Sequence, residues 1–337
     1  MNNKTILFLD NTYPEPYQLE TLTEKPLGGT EASIIRTALI LSRIHCVFVA
    51  QKYRNVSHRE NSNLQFIPKS DLRTLKPDCI IVLRKFNELK KMHLIFPKAQ
   101  LFLWLHTYKN YEYVLKRFGF SRTKTQVICN SNTHKKNTNH LLNSTLVAHL
   151  FSIFTKKINV HYCYNPIEKP KIIKSKRNIN KLLFYSSPNK GLDQVIAKFK
   201  KIRKKIPSLC LYIANPGYKL NDAEKADENI IYLGSLAHEE MMQHVRESLC
   251  VFYPQETFAE TFGLIYAEAS THGTVIIADD IGSAREIMDK NNQPIDVSNI
   301  ELIINTIKKL QKHYPKVSYN EKFSKSYILN QWQRLLG

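Results

Sequence analysis

No stretch of the 337-residue chain is apolar for long. The longest runs, such as CVFVA (46–50) and LFLWL (101–105), stop far short of the roughly 20 residues needed to span a bilayer, so an integral membrane protein is not expected. The N-terminal MNNKTILFLD passes straight into a strand-like segment, without the charged region, apolar region and cleavage site of a secretory signal. Cys46, Cys79, Cys129, Cys163, Cys210 and Cys250 form no C-x-x-C pair and sit beside apolar strand residues. They read as reduced core thiols of a cytosolic protein. There is no H-E-x-x-H and no Cys/His cluster, so no structural zinc site is expected. No G-x-G-x-x-G follows the first strand, which argues against a NAD-dependent oxidoreductase. Internal repeats, low-complexity tracts and a recognisable nucleic-acid module are absent too.

What is present is apolar content and positive charge. Hydrophobic residues make up 43%, enough for two cores and too many for a disordered chain. The net charge is +20, and it is uneven. Residues 1–165 hold 24 Lys and Arg against 10 Asp and Glu, a net of +14; the remainder nets +6. Such asymmetry suits an anionic partner: lipid, phosphorylated glycan or nucleic acid. A chain rich in Lys, Asn and Ile throughout would carry such charge without any partner, and both readings stand.

Short β-like runs alternate with helix-like stretches. The first series is Thr5–Leu9, Cys46–Ala50, Cys79–Leu83, Gln100–Leu105 and Gln126–Cys129; the second is Leu182–Ser186, Leu209–Ala214, Ile230–Leu233, Cys250–Tyr253 and Thr274–Ala278. Each is apolar without clean alternation, as strands buried on both faces of a parallel sheet are. Amphipathic stretches lie between them, among them Thr30–Arg43, Lys190–Lys205, Glu239–Glu247 and Gly263–His272. The alternation implies a doubly wound α/β architecture. The Pro- and Lys-rich segment 164–180 reads as a linker, giving an N-terminal domain over 1–165, a C-terminal domain over 166–318 and a last amphipathic helix in 319–337. Ligands of such sheets bind outside the carboxyl ends of the strands, so the loops that follow strands hold the candidate chemistry.

Four of these loops stand out. In PLGGTEAS (26–33), Gly28 and Gly29 precede a helix whose free N–H groups and dipole attract phosphate; a plain loop with a capping Thr30 is the simpler reading. In FYSSPNKGLDQVI (184–196), Ser187 and Lys190 occupy a strand-to-helix turn. A structural lysine is electrostatically poor at a helix start, where a diphosphate would favour it. In 253–283, Glu260 and Glu268 are separated by seven residues. Glu268 falls about a turn and a half into a helix opened by Gly263, from where it can accept from two ribose hydroxyls. The N–H groups of Thr261, Phe262 and Gly263 offer an anion site, and Glu260 can accept from sugar hydroxyls or serve only as a cap. His106 ends the apolar strand LFLWL, placed either to contact a sugar or to make an ordinary loop hydrogen bond.

Glu260-x-Phe262-Gly263-x4-Glu268, followed by Ala269 and Gly273-Thr274, resembles the donor-site signature of retaining glycosyltransferases of the GT-B fold, specifically glycosyltransferase family 4, the group 1 transferases. SSPNKGLD, LGGTE, VICNSNTHKK (127–136) and YNPIE (164–168) are similar to further segments of that family, in its order, so the resemblance covers about residues 5–290. It implies two Rossmann-like domains facing a central cleft, with the last helix crossing back to the N-terminal domain. It further implies that Glu268 holds the ribose, Glu260 and residues 261–263 hold the transferred sugar, and Lys190, with Ser187, holds the diphosphate. Gly28 and Gly29 would lie opposite, and His106 near the sugar. No metal and no cofactor is implied, and no D-x-D occurs. Many family members carry an arginine where this chain has Tyr185, which leaves the second diphosphate contact open.

The implied reaction moves a hexose-type sugar from a UDP- or GDP-sugar to a hydroxyl of a glycan or glycolipid, with retention. The basic N-terminal domain would take the acceptor, with RKFNELKKMH (84–93), KRFGFSRTK (116–124) and HKKN (134–137) suiting an anionic membrane surface or charged glycan. A cytoplasmic, peripherally membrane-bound enzyme is the expectation. A GT-B transferase acting on nucleic acid and a non-catalytic nucleotide-sugar-binding protein are the alternatives; nucleic acid is not the expected partner.

Overall fold

The computed structural model describes residues 3–25, 27–170, 175–214 and 228–337. Pro26 of the glycine motif and residues 171–174 of the expected linker lie outside the described residues. The chain divides into two units: residues up to 20 with 28–166 and 325–337, and residues 21–27 with 167–324.

The first unit is built on eight strands: β1 (Thr5–Asp10), β2 (Cys46–Gln51), β3 (His58–Arg59), β4 (Leu64–Pro68), β5 (Cys79–Leu83), β6 (Gln100–Trp104), β7 (Gln126–Cys129) and β8 (Val160–Tyr162). Their order is β3-β4-β2-β1-β5-β6-β7-β8, and only the β3–β4 pairing is antiparallel. The second unit carries β9 (Asn178–Phe184), β10 (Cys210–Ala214), β11 (Ile230–Gly234), β12 (Ser248–Tyr253) and β13 (Val275–Ala278) in the order β11-β10-β9-β12-β13, all parallel. The central strands β5 and β12 are buried at every residue, as strands covered on both faces are. The edge strand β11 is half-exposed after its first residue.

Each sheet has one place where the chain reverses direction. In the first, β1 leads outward to β2 and β4, and β5 returns to the other flank of β1. In the second, β9 leads to β10 and β11, and β12 returns beside β9. The crevices beyond the carboxyl ends of β1/β5 and of β9/β12 are therefore the topological ligand positions.

Strand β4, the short β3 and β8 were not expected from the sequence. The helix expected over Thr30–Arg43 runs Gly29–Leu41, and it is buried nearly all round, not amphipathic. The C-terminal helix Lys325–Leu336 packs against it within the first unit. Ile328, Trp332 and Leu336, four residues apart, form its buried stripe. Trp332 meets Trp104 edge-on at 5.2 Å and Phe8 at 6.1 Å. Residues 319–324 stay with the second unit, where the Tyr319 hydroxyl donates to Ile167 O (3.0 Å) and Phe323 packs on Phe262 (5.1 Å).

Within the expected linker 164–180, the chain passes from the first unit to the second between residues 166 and 167. Tyr164, Asn165 and Ile167 are buried, and residues 178–180 begin β9. Arg177 stacks 3.9 Å over Tyr314 and donates to Gly273 O (2.9 Å) and to Ser248 O. Three side chains of the basic segments also need correction. Arg117 is 1% exposed; its guanidinium donates to Thr155 Oγ1 (3.0 Å), Asn143 Oδ1 (3.1 Å), Lys156 O (3.2 Å) and Leu142 O. With Thr155 O (3.5 Å), five oxygen acceptors on one fork hold a helix end and a loop together, so this cation is a staple and no part of a docking surface. His134 is buried too, and Arg84 is ion-paired with Glu31. The cysteines are free thiols. Burial raises Cys79 to about 11 and Cys129 to about 12 and drives Cys163 and Cys250 upward too, so none of these four is a ready nucleophile. No described helix is long and apolar enough to cross a membrane.

Candidate functional site

In the second unit, the loops after β9 and β12 flank the reversal point. Ser187 precedes a single 3-10 turn, Pro188–Lys190, and Gly191 (φ +88°) links it to the helix Leu192–Arg203. Only glycine fits at Gly191: the conformation is left-handed, and a Cβ there would come within 2.5 Å of Gln255 Cβ. Lys190 thus closes the turn ahead of the helix instead of opening the helix itself. Gln255, 1% exposed, folds the β12 loop by accepting from the N–H groups of Thr257 (3.0 Å) and Phe258 (2.6 Å) and donating to Phe258 O (2.9 Å).

These two loops bring Lys190 and Glu260 into contact. Lys190 Nζ donates to Glu260 Oε1 at 2.8 Å and sits 4.6 Å over the Phe258 ring. The Tyr253 hydroxyl, at the end of β12, donates to the same oxygen at 3.2 Å. Among the described residues no hydrogen bond reaches Glu260 Oε2. The backbone behind Glu260 is fixed by the turn before residues 284–287. Ser283 N donates to Glu260 O (3.0 Å), Ser283 Oγ donates to Phe262 O (2.8 Å), and a Cβ on Gly282 would lie 2.6 Å from Glu260 O. Thr261 and Phe262 are buried, and Gly263, left-handed at φ +76°, caps the helix Leu264–Thr271 without belonging to it. Glu268 lies on that helix, partly exposed. The Tyr185 hydroxyl donates to Ile265 O (3.2 Å) in the same helix. Burial, and then the charge of Glu268, hold the Tyr185 phenol well above its ordinary range. Tyr185 is therefore a neutral brace for the Glu268 helix, no substitute for a cation.

In the first unit, Gly28 caps the helix Gly29–Leu41, and both glycines are exposed. Glu31, in the first turn, is 3% exposed, and a Cβ on Gly28 would lie 2.3 Å from Glu31 Oε2. Glu31 pairs with Arg84, which follows β5 with φ +58°, and Arg84 also donates to Thr12 Oγ1 (2.7 Å). Thr12 Oγ1 and N donate to Asp10 Oδ1 (2.6 and 2.8 Å), and the Tyr17 hydroxyl donates to Asp10 Oδ2 (3.0 Å). Burial raises the Glu31 pKa, and Arg84 pulls it back down. The loops after β1 and β5 are thus locked together across the reversal point of this sheet.

His106 follows β6. Trp104 Nε1 donates to Asn130 Oδ1 at 2.6 Å. An indole N–H can only donate, so the Asn130 amide orientation is set and its NH₂ faces His106 Nδ1 at 3.3 Å. His106 is therefore the Nε2–H tautomer, a hydrogen-bond donor. Burial first, then Arg84, hold it well below the ordinary imidazole pKa, hence neutral. His134 accepts from Asn130 N at Nδ1 (3.3 Å), and burial lowers it to about 3; burial likewise lowers His272 to about 4.

These three histidines give a pH dependence. Each has a folded pKa below its unfolded value near 6.5. Below pH 6.5 the unfolded chain binds protons that the folded protein does not, so stability falls as pH drops through that window and is unaffected by them above it. Each contributes a slope of up to about 1.4 kcal/mol per pH unit. Thermal unfolding between pH 7 and pH 5 should show a steady fall in Tm below pH 6.5; a flat profile would contradict the neutral assignments.

The sequence-expected residues thus fall into two groups: Ser187, Lys190, Glu260, Thr261, Phe262, Gly263 and Glu268 beyond β9/β12, and Gly28, Gly29 and His106 beyond β1 and β6. The sequence reading missed Tyr253, Gln255, Phe258 and Ser283 in the first group and Asp10, Thr12, Glu31, Arg84 and Asn130 in the second. Asp10, Arg84 and Asn130 each stand at or immediately after a strand's last residue, the one signal that could have found them. Among the described residues no group of three or more His, Cys, Asp or Glu side chains is arranged to hold a metal ion.

Residues 167–326 match the family model for Glycosyl transferases group 1. A comparison with curated proteins gives no match. Among solved structures, a glycosyltransferase from Rickettsia africae is similar at 14% identity, covering 100% of this chain and 98% of that one, with a TM-score of 0.66. Anabaena HepE, solved with UDP-glucose, is similar at 14% identity over 99% and 94% of the two chains, TM-score 0.60. TarM of S. aureus is similar at 18% identity and TM-score 0.57 over 77% of this chain, which spans only 54% of TarM. Residues 167–326 are thus similar to a group 1 glycosyl transferase domain, in a chain with the GT-B fold.

Proposed function

We propose that this chain is a retaining, metal-independent glycosyltransferase that moves a hexose-type sugar from a UDP- or GDP-sugar to a hydroxyl of a glycan or glycolipid. The observation that carries this reading is the Lys190–Glu260 contact at the reversal point of the five-stranded sheet, with Glu268 on the helix that follows.

An ammonium has three N–H donors, and one is directed to Glu260. Lys190 can bridge that carboxylate and a phosphate oxygen of the donor. As the sugar–phosphate bond breaks, negative charge grows on the diphosphate and the sugar takes on oxocarbenium character. A fixed cation beside the leaving group stabilises the first of these without reorganising. Glu260, anchored through Oε1 by Lys190 and Tyr253, keeps Oε2 to accept from sugar hydroxyls. That role is positioning, and no covalent glycosyl-enzyme is assigned to it. Glu268 accepts from the ribose hydroxyls. In the first unit, neutral His106 donates from Nε2, and the braced Gly28-Gly29 turn presents helix N–H groups to anionic substrate oxygens.

Nucleoside diphosphates test the donor half. At about 100 times its Kd, UDP or GDP should raise stability by about 2.7 kcal/mol, read as a higher Tm, with the nucleoside alone giving much less. No shift with any nucleoside diphosphate would contradict the reading. Transfer with a matched UDP- or GDP-sugar, with the product anomer read by NMR, then tests retention.

A further inference from the structure

Half of the fourteen large, exposed hydrophobic residues described lie between Tyr111 and Phe154. Scattered apolar residues on a surface need no explanation, but a contiguous group does. We propose that the face formed by Leu115, Phe118, Leu146, Leu150, Ile153 and Phe154 docks onto the surface of an anionic lipid bilayer. This inference is independent of the donor chemistry above.

The helix Leu146–Ser152 has two unlike sides. Val147, Ala148 and Phe151 turn inward onto Val114 and Leu141. Leu146 and Leu150, and Ile153 and Phe154 just beyond the helix end, turn outward, exposed by 77%, 60%, 76% and 73%. The spacing i, i+4, i+7, i+8 is that of one helical face. The neighbouring segment adds exposed Leu115 and Phe118, and the Phe118 ring meets Phe151 edge-on at 5.1 Å, making the two segments one surface. The surface is held in shape. Buried Arg117 binds Thr155 Oγ1 and Lys156 O, and Lys156 N donates to Ser121 Oγ (3.3 Å), so the turn carrying Ile153 and Phe154 is tied to the Phe118 helix.

Charge selects the partner. Residues 113–167 contain no Asp or Glu and eight Lys or Arg. One of the eight is the buried staple; Lys116, Arg122, Lys156 and Lys157 are exposed on the segments that carry the apolar face. Projecting apolar side chains with flanking cations, and exposed Glu112 as the one carboxylate on the segments that carry them, match an anionic membrane, which rewards both signals together. A protein partner would more often meet a mixed-charge rim.

The full chain is incubated with phosphatidylcholine vesicles with and without phosphatidylglycerol. Partitioning should be at least about tenfold stronger with the anionic lipid and should fall with added salt. Leu150→Asp/Ile153→Asp should lower it about tenfold or more, with Tm unchanged because both positions are solvent-exposed. Lys156→Glu/Lys157→Glu should remove the anionic preference. Trp104 and Trp332 are fully buried, so a Phe154→Trp variant reports insertion directly, as a blue shift of its emission on anionic vesicles. Equal binding to both vesicle types, or no blue shift, overturns the proposal. A lipid-free dimer that Leu150→Asp/Ile153→Asp converts to monomer also overturns it, by assigning the face to a second copy of the chain.

Discussion

Lys190→Ala should lower kcat for sugar transfer by about 10²–10³-fold, the cost of removing one preorganised electrostatic contact from a developing charge. Glu260→Ala should fall in the same range, for a different reason: the sugar loses its positioning acceptor. Because the two side chains touch at 2.8 Å, their effects should not add. The double variant should lose little more than the worse single one, since each substitution already leaves the other group without its partner. Glu260→Gln keeps an acceptor oxygen but weakens the anchor to Lys190, and should fall between wild type and Glu260→Ala. Steady-state kinetics on the four variants check this. Fully additive losses would separate Lys190 and Glu260 into unrelated roles and undo the bridging mechanism.

The largest stability effect is expected at Trp332. Its indole is fully buried among Phe8 and Trp104, at the point where the C-terminal helix joins the first unit. Trp332→Ala should destabilise that unit by about 3–5 kcal/mol through lost contacts and the cavity left behind. Among the described residues buried Trp332 Nε1 has no hydrogen-bond partner, so the ring carries a desolvated donor. Trp332→Phe removes that donor and keeps much of the ring, and should cost clearly less than the alanine variant. Urea unfolding followed by circular dichroism separates the two. If Trp332→Ala unfolds like wild type, the helix Lys325–Leu336 contributes little to the unit. Trp104 remains as a fluorescence reporter of the first unit in both variants.

The ten expected strands all exist, with ends shifted by a few residues, because central strands of a two-sided parallel sheet are apolar whichever sheet they join. What periodicity could not supply was β4 and the edges. Leu64–Pro68 is interrupted by Gln65 and ends in proline, and β8 is only three residues long. The site was half legible. Residues on glycine-punctuated turns, such as Lys190 before Gly191 and Glu260 before Gly263, announce themselves through local pattern. Residues that act through a partner distant in sequence do not. The link between Arg84 and Glu31 spans 53 positions, and the one between Trp104 and Asn130 that sets the His106 tautomer spans 26. Arg84 and Arg117 both counted as surface charge in the sequence, yet one is ion-paired and the other buried. Charge sums carry no burial, which is why Arg84 and Arg117 read as surface charge, and they do not register the apolar face on Leu146–Phe154.

The central claim is that a donor diphosphate binds beyond β9 and β12, on Lys190. A crystal structure of the chain soaked with UDP or GDP tests it most directly. The account expects a phosphate oxygen within about 3 Å of Lys190 Nζ, with the ribose hydroxyls on the Glu268 carboxylate. A nucleotide bound elsewhere, with Lys190 still directed to Glu260 alone, would contradict it.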